Sequence, residues 1–327
     1  MYDLVSVGEV MLRMSPPKYQ RLRQAHTLDV CVCGSQLNVA ANLARLGKKT
    51  AFVTKIPANE LGLLAWDGCL SYGVDLSHVQ MVPGGRLGVN YVEFGRPPRG
   101  GVAVYDREHS AASTIAPGDF AWDQILAGAR LAYTDGIFPG LSTSCRAAAL
   151  EFVATAATMG CTVCFDMNYR EHLWTPAVAR EVWPHLLSHV DILVTNRSVS
   201  TDVFGYEGSD VEQAARYGDE FGCQVVCHTR REAMGAQRGA WNSLAVSGGQ
   251  CYWGRRVEFD VVDRFGTGDA WFAGFLYGYL SGDIEYALNF GNALCALAHT
   301  TEGDVVQVTP EEVGAFLEAG HDLQLKR

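Results

Sequence analysis

At 327 residues with 48% apolar side chains and no low-complexity stretch, the chain can bury a large core, and an α/β layer fold of this length can form one unit with a small appendage. A net charge of −10 argues against nonspecific binding to nucleic acid or to an anionic membrane surface. No apolar run of roughly 18 residues could span a bilayer, and "MYDLVSVGEV" carries Asp3 and Glu9 where a signal peptide needs a basic start and an uninterrupted apolar stretch. It reads as a first strand instead. Ten cysteines without an export signal imply reduced thiols and a cytoplasmic protein.

In chain order, "GSQLNVAANLARLG" is a helix with Leu37, Ala41 and Ala44 on one face and a stop at Gly47, and "TAFVTKI" is the strand that completes a βαβ unit. "LGVNYVEF" and "GGVAVYDR", joined by "GRPPRG", form a hairpin that projects from the main sheet. Such a small sheet needs a surface to lie on, either the mouth of the large domain or a second subunit. Helix and strand then alternate through "CRAAALEFVATAATMG", "CTVCFDMN", "AREVWPHLLSHV", "DILVTN", "DVEQAARYGDEFG" and "CQVVCHT", the pattern of a parallel sheet covered by helices. Cys161 and Cys164 have zinc-like spacing but sit three apart on a strand, so they read as core thiols. The last helix opens at "TPEEV" with Thr309 and Glu312 as a capping box.

Open α/β sheets bind ligands beyond the carboxyl ends of their strands. That edge collects Glu9, Asp166, Asn168, Arg170, Asn196, Thr229, Arg230 and the stretch from Asp263 to Asp269. The segment "VVDRFGTGDAWFAGFLYGYL" reads as a strand end, a glycine loop and an apolar helix. Gly266 and Gly268 flank Thr267, so amides from Gly266 to Gly268 can converge on an anion beside the helix N-terminus. Asp269 stands at the N-cap position, and either it only caps the helix or it accepts a proton from an alcohol attacking a phosphoryl group. The chain has no Walker A motif, and "GTGDAW" lacks the third glycine of a dinucleotide fingerprint.

"DRFGTGDAWFAGF" resembles the C-terminal signature of the ribokinase-like, PfkB-type carbohydrate kinases, and "GSQLNVAANLARLG" resembles their N-terminal one. "VSVGEVMLRMSPP", "VYDREHSAAS", "DMNYR" and "HTTEGD" look most like 2-keto-3-deoxygluconate kinases. The resemblance implies one ribokinase-like α/β domain over 1–327, with a mostly parallel central sheet flanked by helices and a small β lid from about 10–35 and 87–110. It implies ATP-dependent phosphorylation of a sugar acid, with Asp269 as base and the amides of Gly266, Thr267 and Gly268 as anion hole. Gly34, Asn38, Tyr91, Tyr105, Arg107, Arg170 and Asp304 would bind the acceptor. Asn168, Asn196, Arg230 and Asn292 would bind the nucleotide. ATP, Mg2+, a monovalent cation such as K+ and a homo-oligomer are further expectations, and no metal ligand is assigned.

A carboxylate substrate calls for a guanidinium fork, which Arg170 or Arg107 could supply unless these arginines pair with surface acids. Two departures from the family pattern stand out. "NRSV" has Val199 where a glutamate usually sits near the metal, and Cys33, Gly34, Ser35 and Gln36 replace the usual glycine pair and glutamate. These leave two alternatives open: a fructokinase-like or ribokinase-like enzyme for a neutral sugar, and a noncatalytic sugar-binding member of the fold.

Overall fold

The computed structural model describes residues 1–234 and 237–319. Six parallel strands form the centre of the main sheet, in the order Val225–Ala233, Ile192–Thr195, Thr162–Asp166, Leu131–Asp135, Leu4–Val7 and Thr50–Val53. Beyond Val225–Ala233, the strands Arg238–Ser247, Gln250–Trp253 and Val257–Asp260 add an antiparallel edge. Alternate residues of each central strand feed two different cores, which is why these segments read as continuous apolar runs. Val5, Val7, Val163, Phe165 and Leu193 pack with Phe152, Trp183 and Tyr217 from the helices Thr143–Thr158, Pro176–Leu187 and Asp210–Phe221. Leu4, Phe52, Tyr133 and Ile192 pack on the other face with Leu37, Trp271 and Leu288 from the helices Ser35–Arg45, Thr267–Tyr279 and Ile284–His299.

A separate four-stranded sheet follows the order Asp29–Cys33, Met11–Ser15, Gly88–Glu93 and Val102–Asp106. The expected hairpin is its last antiparallel pair. Arg13 fastens this sheet to the main body: its guanidinium, 5% exposed, bonds both oxygens of Asp263 at 3.3 and 2.8 Å and pairs with Asp304 at 3.1 Å. The rings of Phe94 and Phe265 lie 5.6 and 5.1 Å from it.

Smaller expectations hold. Gly47 ends the first helix with φ 83°, Cys161 and Cys164 are buried, and the Thr309 and Glu312 backbone amides each donate to the other's side-chain oxygen. No helix among the described residues is long and apolar enough to cross a membrane.

Candidate active site

The carboxyl ends of the central strands open into a crevice of ≈ 940 Å³ floored by the loop before the helix Thr267–Tyr279. Gly266 is the N-cap of this helix, with φ 69°, and a Cβ there would collide with the carbonyl oxygen of Asp304. Only glycine suits that position. Gly268 has no such requirement: a Cβ would meet nothing within 4 Å, so the space above it is open. The first intrahelical bond runs from the Ala270 amide to the Gly266 carbonyl at 2.8 Å. The preceding amides, Thr267 to Asp269, therefore lack that partner and face the positive end of the helix dipole.

Asp269 is not the N-cap that the sequence suggested; it stands at the third helical position, and side chains bind it. Ser35 Oγ donates to Oδ1 at 2.8 Å and Asn38 Nδ2 to Oδ2 at 2.7 Å. Loss of hydration lifts its carboxyl to about 6, against the lowering effect of those two bonds, and Asp135 adds to the rise. Asp269 holds its charge at neutral pH but is a better proton acceptor than an ordinary helix-start aspartate.

Asn168 Nδ2 donates at 2.8 Å to Ser35 Oγ and at 2.9 Å to Asp135. Asp135, fully buried, also accepts from Gln36 and from the Ile137 amide at 2.8 Å. Asp166 lies in the same crevice, where burial, then Asp135 and Asp269, push its carboxyl up to about 7. Its hydrogen bond comes from the Asn168 amide at 2.9 Å. Among the described residues no group of three or more His, Cys, Asp or Glu side chains is placed to hold a metal ion, and Asp166 is the thinly bonded carboxylate of the crevice.

Among the expected acceptor residues, Gly34 and Asn38 sit at the start of the first helix, and a Cβ on Gly34 would strike the carbonyl oxygen of Glu9. Tyr105 and Arg170 line the crevice, and no carboxylate among the described residues pairs with exposed Arg170, whose one bond is a 3.5 Å contact with the Tyr169 carbonyl. Arg107 is buried instead of surface-paired: Nε and Nη2 bond Glu9, leaving the rest of its fork uncommitted to that acid. Tyr91 is misjudged. It aligns with Met14 and Val104, whereas Arg13, Asn90 and Tyr105 form the adjacent row, so Tyr91 projects from the face turned away from the crevice. Asp304 is 7% exposed and paired with Arg13, beside Gly266, and its charge acts on Asp269.

On the nucleotide side, Asn196, Thr229 and Arg230 line the crevice; Asn196 also caps its helix through the Val199 amide at 3.1 Å, and Arg230 is open to solvent. Asn292 does not join them. It is fully buried, its Oδ1 accepting from Ser243 Oγ at 2.7 Å and Trp271 Nε1 at 2.8 Å, its Nδ2 donating to the Arg255 carbonyl at 2.8 Å. Val199 borders the crevice but packs into the core, 7% exposed. Ser35, Asp135 and Arg13 are site residues that sequence reading missed as contributors. Their only signal was the polarity of positions flanked by apolar runs.

The crevice thus presents a proton acceptor, unpaired helix-start amides and arginine side chains around one space, a set suited to phosphoryl transfer. The family model for pfkB family carbohydrate kinases matches residues 1–311. The chain is 36% identical over 319 residues to a 2-dehydro-3-deoxygalactonokinase of Haloferax volcanii, covering 97% of each. It superposes on the crystal structure of a 2-dehydro-3-deoxygluconokinase of Thermotoga maritima with a TM-score of 0.92 and 33% identity, covering 97% of this chain and 99% of that one. An E. coli structure with ATP and Mg2+ bound shares the fold at a TM-score of 0.84 and 19% identity, covering 98% of this chain and 100% of that one. The chain belongs to the pfkB family of carbohydrate kinases.

Proposed function

We propose that this kinase transfers the γ-phosphoryl group of ATP to a hydroxyl of a six-carbon 2-keto-3-deoxy sugar acid, 2-keto-3-deoxygluconate first. The observation that carries this reading is Asp269, lifted to about 6 at the mouth of unpaired helix amides and sharing its crevice with Arg170. As the hydroxyl oxygen bonds to phosphorus and the β,γ-bridging P–O bond breaks, the hydroxyl proton passes to Asp269. The amides of Gly266, Thr267 and Gly268 donate to the charge on the transferred group. Arg170 and the uncommitted part of Arg107 hold the substrate carboxylate. Asn168, Asn196 and Arg230 contact the nucleotide. Mg2+, when bound, neutralises phosphate charge, and Asp166 is the residue we assign to hold it, taking the part that Val199 cannot. The 36% relative favours the galactonate epimer as a second acceptor to test.

We further take the enzyme to be a cytosolic homo-oligomer. Val30, Met14, Tyr91 and Val104 form one row across the outer face of the small sheet, and Val30 and Val104 are about half exposed, which suits a second copy. The free state of all ten cysteines agrees with a reducing compartment.

Coupled ADP release across a panel of sugar acids and neutral sugars tests the reading. The highest kcat/KM should fall on a 2-keto-3-deoxy acid; a preference for fructose or ribose overturns it, and sugar binding without turnover would favour the noncatalytic alternative.

A further inference from the structure

The inner face of the small sheet contains a buried polar group with nothing to bond. Register places Arg13, Asn90 and Tyr105 opposite one another on three neighbouring strands, so all three project from one face. Arg13 reaches Asp263 and Asp304, and Tyr105 lines the crevice, which identifies that face as the one turned to the main body. Asn90 lies between them, 4% exposed, and its Oδ1 is enclosed without a hydrogen-bond donor. Two residues earlier on the same strand face, a Cβ built on Gly88 would lie 2.9 Å from Glu9 Oε1 and 3.2 Å from Arg107 Cβ. Asn90 therefore continues a row that begins at the buried Arg107–Glu9 pair and borders Tyr105.

An enclosed carbonyl oxygen without a donor destabilises the free protein, because its hydration is lost and nothing replaces it. A leucine of nearly the same size would avoid that loss. Retaining an amide there makes physical sense if a donor arrives with a ligand.

We propose that Asn90 is a specificity-determining contact, its amide oxygen accepting a hydrogen bond from a hydroxyl of the acceptor. This rests on the kinase reading above and adds a division of labour to it. A carboxylate carries no proton to give, so it suits the guanidinium groups, whereas the amide oxygen of Asn90 selects for a hydroxyl and against a deoxy carbon at the same place.

Replacing Asn90 by leucine separates this role from a structural one. With Asn90→Leu, the melting temperature of the ligand-free protein should stay equal or rise, the acceptor kcat/KM should fall at least tenfold, and KM for ATP should stay within twofold. A structural role predicts the reverse pattern, a lower melting temperature with all constants worsening together. If the leucine variant does not fold, Asn90→Val, smaller and favourable in a strand, carries the same expectation. The measurement uses whichever acceptor the wild-type enzyme turns over best, so an error in the assigned acid class leaves this test intact. A folded variant with unchanged acceptor kcat/KM would overturn the assignment of Asn90.

Discussion

Asp269 owes its chemistry to competition among its neighbours. Burial and Asp135 favour its neutral form, while Ser35 and Asn38 favour the charged form, and burial prevails, giving about 6. The base must be ionised to act, so kcat should be constant above neutrality and fall as pH drops through about 6; a pH–rate profile of the saturated enzyme checks this. An acid limb near 4 would mean that the bound complex restores ordinary carboxylate behaviour. Asp269→Asn should lower kcat by about 10²–10⁴-fold while ATP binding, followed by calorimetry, is retained. The sequence made Asp269, Asn168 and Arg170 legible because they follow strand ends at the edge where such sheets bind ligands, whereas Thr229 and Arg230, expected beyond a strand end, lie inside Val225–Ala233, which runs on past them. The surroundings of Asn292 and Asp304 were not legible, because a motif gives a position and not a partner. Trp271, Ser243 and Arg13, which hold those two residues, lie far away along the chain.

The two glycines of the anion loop carry different constraints, and parallel substitutions should separate them. Gly266→Ala meets both a positive φ and a collision with the Asp304 backbone, so it should destabilise the fold by several degrees in melting temperature. Gly268→Ala fits the helix and should leave the melting temperature nearly unchanged while its methyl narrows the crevice and lowers kcat/KM. Equal thermal losses would contradict the distinction. The small sheet is an element of another kind, held to the body through Arg13 and presenting Tyr105 to the crevice, where its ring stacks on His172 at 4.8 Å between centroids. As a lid it would exclude water from the γ-phosphate. Tyr105→Ala, or deletion of "GRPPRG", should then raise ATP hydrolysis relative to sugar phosphorylation in an assay that counts both products; an unchanged ratio would leave the sheet as scaffold. The hairpin itself was readable from its turn and alternation. Which of its faces turns inward was not, because a one-residue change of parity exchanges Tyr91 for Asn90 and only pairing with Met11–Ser15 fixes it.

At the scale of the whole molecule, the alternating apolar segments were enough to foretell a parallel sheet between two helical layers, since each central strand must be apolar on both faces to fill two cores. The antiparallel edge was less visible, because Arg238–Ser247 and Val257–Asp260 lack the intervening helices that announce the other strands. On the proposed reading, the acceptor's class depends on charge gathered from distant segments: Arg170 after one central strand and Arg107 after the small-sheet hairpin. The most direct test compares kcat/KM for a 2-keto-3-deoxy sugar acid and for a neutral sugar of the same length, in the wild-type enzyme and in Arg170→Met. A charge-assisted hydrogen bond contributes on the order of 1.5–3 kcal/mol, so the acid should lose at least tenfold in the variant while the neutral sugar loses far less. Equal losses on both substrates, or a wild-type enzyme that prefers the neutral sugar, would contradict a kinase built for sugar acids.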